Sequence, residues 1–114
     1  MARYEHLPIF QKAYDLQIRI QRYVDRMSKL YRYSHGEYLI KLGLDFLYLV
    51  VEANSARNKY QFLVKADRQL EKIRIHCRLL RDLKSFTNHQ YEVLAREIDE
   101  IGKQLGGWLK KERT

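Results

Sequence analysis

From residue 9 onward, apolar residues recur at alternating steps of three and four: Ile9, Ala13, Leu16, Ile20, Val24, Met27 and Leu30. That period lays one apolar stripe along a helix. Pro8 suits its first position, where a missing N–H is no loss, so the pattern predicts a helix over residues 8–31. In the YSHGEY that follows, Ser34 and Glu37 have the spacing of a capping box and predict the start of a second helix. Its main stripe is Leu39, Leu42, Phe46, Leu49, Ala53 and Ala56. Ile40, Leu44, Leu47, Val50 and Val51 add apolar residues on other sides. A helix apolar on most sides is buried by several neighbours, so this one is expected at the centre or in a subunit contact.

No Gly or Pro marks the next turn; Asn54, Ser55 and Asn58 are the nearest signals. A third stripe then reads Leu63, Ala66, Leu70, Ile73, Cys77 and Leu80, with a second row at Ile75, Leu79 and Leu83. Lys84 is expected in its last turn, where a cation is favoured. Thr87 and Gln90 make another capping box, and Tyr91, Leu94, Ile98, Ile101, Leu105 and Trp108 form a fourth stripe. The ending IGKQLGGWLKK (101–111) contains Gly102, Gly106 and Gly107, each costing about 1 kcal/mol against Ala in a helix interior. Trp108 nevertheless keeps phase with Ile101 and Leu105, which predicts a helix continuing through the glycines to about residue 110. Gly102 and Gly106 are four apart and share a face, where a neighbouring backbone could approach closely, either within the bundle or from an adjacent subunit. Four long amphipathic helices joined by short turns predict an all-α, up-down-up-down four-helix bundle, as a single domain over residues 1–114.

Charge sharpens this picture. The 114 residues carry a net charge of +8, and the excess is local. Residues 12–32 hold six Lys or Arg against two acids, and residues 57–84 nine against three, whereas residues 33–56 hold one against three. Lys12, Arg19, Arg22, Arg26 and Lys29 are expected on one face of the first helix, with Asp15 and Asp25 the only acids near enough to offset them. On the third helix Arg74, Arg78 and Arg81 form one row, and Lys65, Arg68 and Lys72 another. Mostly arginine rows offer forked donors that suit phosphate oxygens, so they predict binding of RNA or DNA that weakens steeply with salt. The alternative is a solvated basic face that only aids solubility. Tyr4, Tyr14, Tyr23, Tyr31 and Tyr33 lie in or near the first basic segment. Some could stack on unpaired bases, while most read as amphipathic residues at the rim of helix packing. Nothing resembles a helix-turn-helix, an RNA-recognition motif or a zinc finger, so sequence-specific readout is not expected.

No catalytic constellation stands out, so the chain is expected not to be an enzyme and to need no metal or cofactor. None of His6, His35, His76 and His89 pairs with another at metal-ligand spacing. His76 and Cys77 are neighbours and point about 100° apart on a helix. Cys77, the one cysteine, sits in the core stripe as a small buried thiol. It leaves no internal disulfide, which suits a reducing cytoplasm. Glu97, Asp99 and Glu100 read as a solvated face balancing the basic helices. No signal peptide is visible, and the most apolar run, YLIKLGLDFLYLVVEA (38–53), is too short and too charged to span a membrane.

The stretches LPIFQKAYDL (7–16), ADRQLEKIR (66–74) and IGKQLGGWLK (101–110) resemble the Avd family, the four-helix-bundle accessory proteins of diversity-generating retroelements. The similarity covers nearly the whole chain. It implies a basic homopentameric barrel that binds nucleic acid and associates with the retroelement's reverse transcriptase. That complex makes mutagenic cDNA from a template-repeat RNA for mutagenic retrohoming. The resemblance implies no enzymatic activity and carries over no catalytic residue. It does imply that exposed cations matter, first among them Arg19, Arg22, Arg26 and Lys29, with Arg74, Arg78 and Arg81. A sister family of bundle proteins, encoded in intervening sequences of 23S ribosomal RNA genes, shares the fold. Its members carry a polar, small-residue motif near the end of helix 2, where VVEANSARNK (50–59) is more similar to the retroelement type. An adaptor that binds protein partners but no nucleic acid is the other alternative.

Overall fold

The computed structural model describes residues 3–113. Four helices follow the four stripes: α1 (Pro8–Asp25), α2 (Glu37–Ser55), α3 (Lys59–Asp82) and α4 (Asn88–Arg113). α1 packs on α2 and α4, and α3 packs on the same two. α1 therefore lies diagonal to α3 in an up-down-up-down square, in a rod of 45 × 20 × 19 Å. The stripes meet on the rod axis. Ile20, Leu39, Val50, Leu63, Ile73, Leu94 and Ile101 are fully buried there, and no polar or charged residue is buried with them among the described residues. Two glutamines fasten α2 from either side. Gln17 Nε2 of α1 donates to the Ile40 carbonyl at 3.0 Å, and Gln69 Nε2 of α3 donates to the Leu42 carbonyl at 3.0 Å.

The first helix is shorter than its stripe predicts. α1 ends at Asp25, Met27 is still buried, and Ser28 turns extended with ψ 155°. Arg32 folds back so that its Nε and Nη2 donate to the Met27 carbonyl at 3.0 and 2.6 Å, satisfying an acceptor that a continuing helix would have used. Leu30, expected in the stripe, is 74% exposed. A short helical turn, Lys29–Tyr31, leads into a π-helical segment, Arg32–Gly36, and directly on into α2. The Ser34–Glu37 capping box does not form. Ser34 Oγ donates backward to the Tyr31 carbonyl at 3.4 Å, and the chain is already helical through Ser34, so no open helix N-terminus there needs a cap. Gly36 is needed here because a Cβ would come within 2.7 Å of Val24 Cγ1.

The turn after α2 is built by a cation. Lys59 Nζ donates to the carbonyls of Ala53, Asn54 and Ala56 at 3.3, 2.6 and 3.1 Å, gathering the acceptors a helix C-terminus leaves open. Ala56, expected in the α2 stripe, is the extended residue that ends the helix. Lys84 lies past the last turn of α3 rather than in it. Its φ is 63°, its N–H donates to the Arg81 carbonyl and the Ser85 N–H to the Leu80 carbonyl, which is the Schellman pattern. The second capping box forms as expected: Thr87 Oγ1 accepts from Gln90 N at 3.0 Å, and Gln90 Oε1 accepts from Thr87 N at 2.9 Å.

α4 runs unbroken through its glycines, and Trp108 packs half-buried against the core. The close approach expected at the glycines is absent from this chain. A Cβ on Gly102 would meet only Leu70 Cδ2 at 3.8 Å and Arg74 Nη2 at 3.9 Å, and one on Gly106 or Gly107 would meet nothing within 4 Å. The within-bundle reading of that feature therefore fails.

Candidate nucleic-acid interface

The predicted cations divide into two sets according to what α4 places beside them. Glu97 and Glu100 face α1, where Arg19 pairs with Glu97 and Lys12 Nζ with Glu100 Oε2 at 3.1 Å. Asp99 faces α3 and takes Arg74, whose Nε also lies 3.5 Å from Glu71. These acids, expected as a solvated face, neutralise three of the predicted phosphate-binding residues. For Arg19 and Arg74, burial opposes the charge. The acids and, for Arg19, Tyr23 outweigh it, and both pKa values rise above the usual arginine value. Arg81 is partly used as well: its Nη2 lies 3.0 Å from Asp82, and its guanidinium sits 4.4 Å over the Tyr91 ring.

Arg22, Arg26, Lys29, Lys65, Arg68, Lys72 and Arg78 are exposed, and none has an ion pair among the described residues. They do not form one surface. Arg22 and Arg26 border a shallow depression on α1 with Ile18 and Asp15. Lys29 leaves that face because α1 ends before it. Lys65, Arg68 and Lys72 look toward α2, across a groove holding Asp45, Tyr48 and Glu52. Arg74 and Arg81, on the other flank of α3, look toward α4. Of the five tyrosines in or near the first basic segment, Tyr4, Tyr14 and Tyr33 are exposed. Tyr23 is buried edge-on to Phe86, and Tyr31 is half-buried against His35.

The folded chain also brings together residues that sequence reasoning kept apart. The His35 and His76 rings are 5.2 Å apart, with Tyr38 equally near His76. His76 Nε2 lies 3.2 Å from the His35 carbonyl. Burial and the neighbouring His35 lower the His76 pKa against the opposing pull of that carbonyl. The pair is 41 residues apart in the chain, and no local spacing signals it. Among the described residues no group of three or more His, Cys, Asp or Glu gathers as a metal site would require. Burial pushes the Cys77 thiol up to about 12, which fits an inert core residue. A second missed feature is a groove between α3 and α4, where Lys110 and Arg113 join Arg68 over Gly106.

Among known proteins, a family model described as bAvd-like matches residues 7–112. The chain belongs to the bAvd-like family. The match spans all four helices and includes LPIFQKAYDL and IGKQLGGWLK. For this bAvd-like chain, no helix among the described residues is long and apolar enough to cross a membrane. Comparison with curated proteins finds no match.

Proposed function

We propose that this bAvd-like protein is a basic, non-enzymatic accessory subunit of a diversity-generating retroelement, binding RNA or DNA without sequence preference and associating with the element's reverse transcriptase in mutagenic retrohoming. The observation that carries the reading is the sorting of the cations. α4 spends its acids on Lys12, Arg19 and Arg74 and leaves Arg22, Arg26, Lys65, Arg68, Lys72 and Arg78 solvated without an acid partner. Such cations release condensed counterions from a phosphate backbone.

Fluorescence-anisotropy titration of labelled RNA and DNA at several salt concentrations tests it. Affinity should fall steeply with salt, and charge reversal at Arg22 and Arg26, or at Lys65 and Arg68, should weaken it. A flat salt response, or no binding at low salt, overturns the reading in favour of an adaptor. Co-purification of the reverse transcriptase with the tagged protein tests the partner.

Assembly into a homopentameric barrel is part of the same proposal. It is supported by α2, where Tyr38 is 52% exposed and Ile40, Leu44 and Val51 are only half-buried. Apolar surface of that kind usually marks a contact. Light scattering should give a mass near five times 13.9 kDa; a monomer at working concentration counts against it.

A further inference from the structure

We propose that the groove between α3 and α4 holds one unstacked base of a single-stranded nucleic acid, so that this protein prefers single strands to duplexes. The inference rests on the nucleic-acid reading above and adds a specific place and strand form to it. The groove has a volume of about 610 Å³, within the roughly 300–1,000 Å³ typical of small-ligand clefts. It is lined by the bare backbone at Gly106 and by Tyr60, Val64 and Leu109. Arg68, Lys110 and Arg113 also line it, against a single acid, Asp67. A groove that combines one aromatic ring, aliphatic side chains and three cations suits a flat base and its phosphates.

Two further observations favour a polyanion over a compact acidic peptide. First, Arg68 lines this groove and also the neighbouring one between α2 and α3, where Lys65 and Lys72 join it and the three cations outnumber the acids Asp45 and Glu52. The three cations step along α3 at intervals of three and four residues, rises of about 4.5 and 6 Å. They make a line that a strand of phosphates can follow past the slot. Second, Gly106 and Gly107 serve no packing role in this chain, since a Cβ on either meets nothing within 4 Å. Each glycine still carries the helix penalty. At Gly106 the missing side chain is what keeps the slot open. A duplex, with its bases stacked and paired, can reach the cations but cannot place a base in the slot.

The adjacent glycines supply a matched test. Gly106→Leu places a bulky side chain in the groove, whereas Gly107→Leu adds the same side chain one position away, at a residue that does not line it. A Cβ at either position has nothing within 4 Å, and thermal melts should show both variants folded and no less stable than the wild type. Anisotropy titrations use a labelled 20-mer of oligo-dT and a labelled hairpin duplex at the same low salt. Gly106→Leu should lose about tenfold in affinity for the single strand and change duplex affinity less than about twofold, with Gly107→Leu unchanged for both. Tyr60→Ala should lose single-strand affinity to a similar degree. Equal single-strand binding by the two leucine variants overturns the inference, as does equal loss for strand and duplex. So does capture of a Glu- and Leu-rich peptide that Gly106→Leu abolishes while oligo-dT binding stands, which would assign the groove to a protein partner. Failure of every oligonucleotide to bind the wild type sinks the broader nucleic-acid reading instead, and is thereby distinguishable.

Discussion

Gln17 Oε1 occupies the space that a Cβ on Gly43 would fill. The amide is held there by its Nε2 bond to the Ile40 carbonyl, and the oxygen itself is buried without a partner. An alanine at 43 would drive the amide off and break that bond. The gain in helix propensity, about 1 kcal/mol, is then offset by the broken bond and the crowding, each on the order of 1 kcal/mol or more. Gly43→Ala should therefore be neutral to destabilising in the wild type, yet stabilising in a Gln17→Ala background. Urea melts of the four proteins measure the coupling, expected at about 1 kcal/mol or more. Equal effects of Gly43→Ala in both backgrounds would disprove the contact.

Lys84 caps α3 in the left-handed region at φ 63°, which costs a side-chain-bearing residue about 1–2 kcal/mol. Glycine takes that conformation freely but loses more entropy on folding. Lys84→Gly should gain about 0.5–1 kcal/mol, raising Tm by a few degrees, while Lys84→Val should lower it. A melting point unchanged by either substitution would contradict the left-handed cap.

His76 is disfavoured as a cation by burial and by His35. Its folded pKa lies below the unfolded value, so the unfolded chain binds the proton more readily. The stability it contributes is complete above pH about 6.5 and is lost as pH falls from there toward the lowered folded value. Melts between pH 5 and 8 should show this loss, and His76→Gln should reduce it. A variant with the same pH dependence as the wild type would remove His76 as its source.

The paired and unpaired cations should differ in nucleic-acid binding. Arg22→Gln or Arg68→Gln should flatten the dependence of log affinity on log salt by roughly 0.7–0.9 per phosphate that the variant no longer neutralises. Arg19→Gln and Arg74→Gln should alter it little, because Glu97 and Asp99 already hold those side chains. Equal losses across both sets would show that the intrachain ion pairs open on binding.

The periodic stripes placed all four helices and nearly all of the core, because burial on a helix face repeats every three or four residues and needs only local sequence to be seen. The Thr87–Gln90 box was legible for the same reason, and so was the passage of α4 through its glycines, from the phase of Trp108. The early end of α1 was not. It depends on Arg32 reaching back to the Met27 carbonyl, and a stripe that continues to Leu30 carries no trace of that bond. The turn at Lys59 was hidden likewise, since a lysine closes a turn that has no glycine by collecting three carbonyls.

The sequence by itself determined the helices, the core and the excess of positive charge. Only the tertiary structure decided which charges are available. Arg19, Lys12 and Arg74 meet their acids across 78, 88 and 25 residues of chain. Such pairings depend on the rotation and axial offset of one helix against another, which periodicity along a single helix does not encode. The same holds for the His35–His76 contact and for the groove over Gly106: each is made by two elements at once, and neither element carries the signal alone.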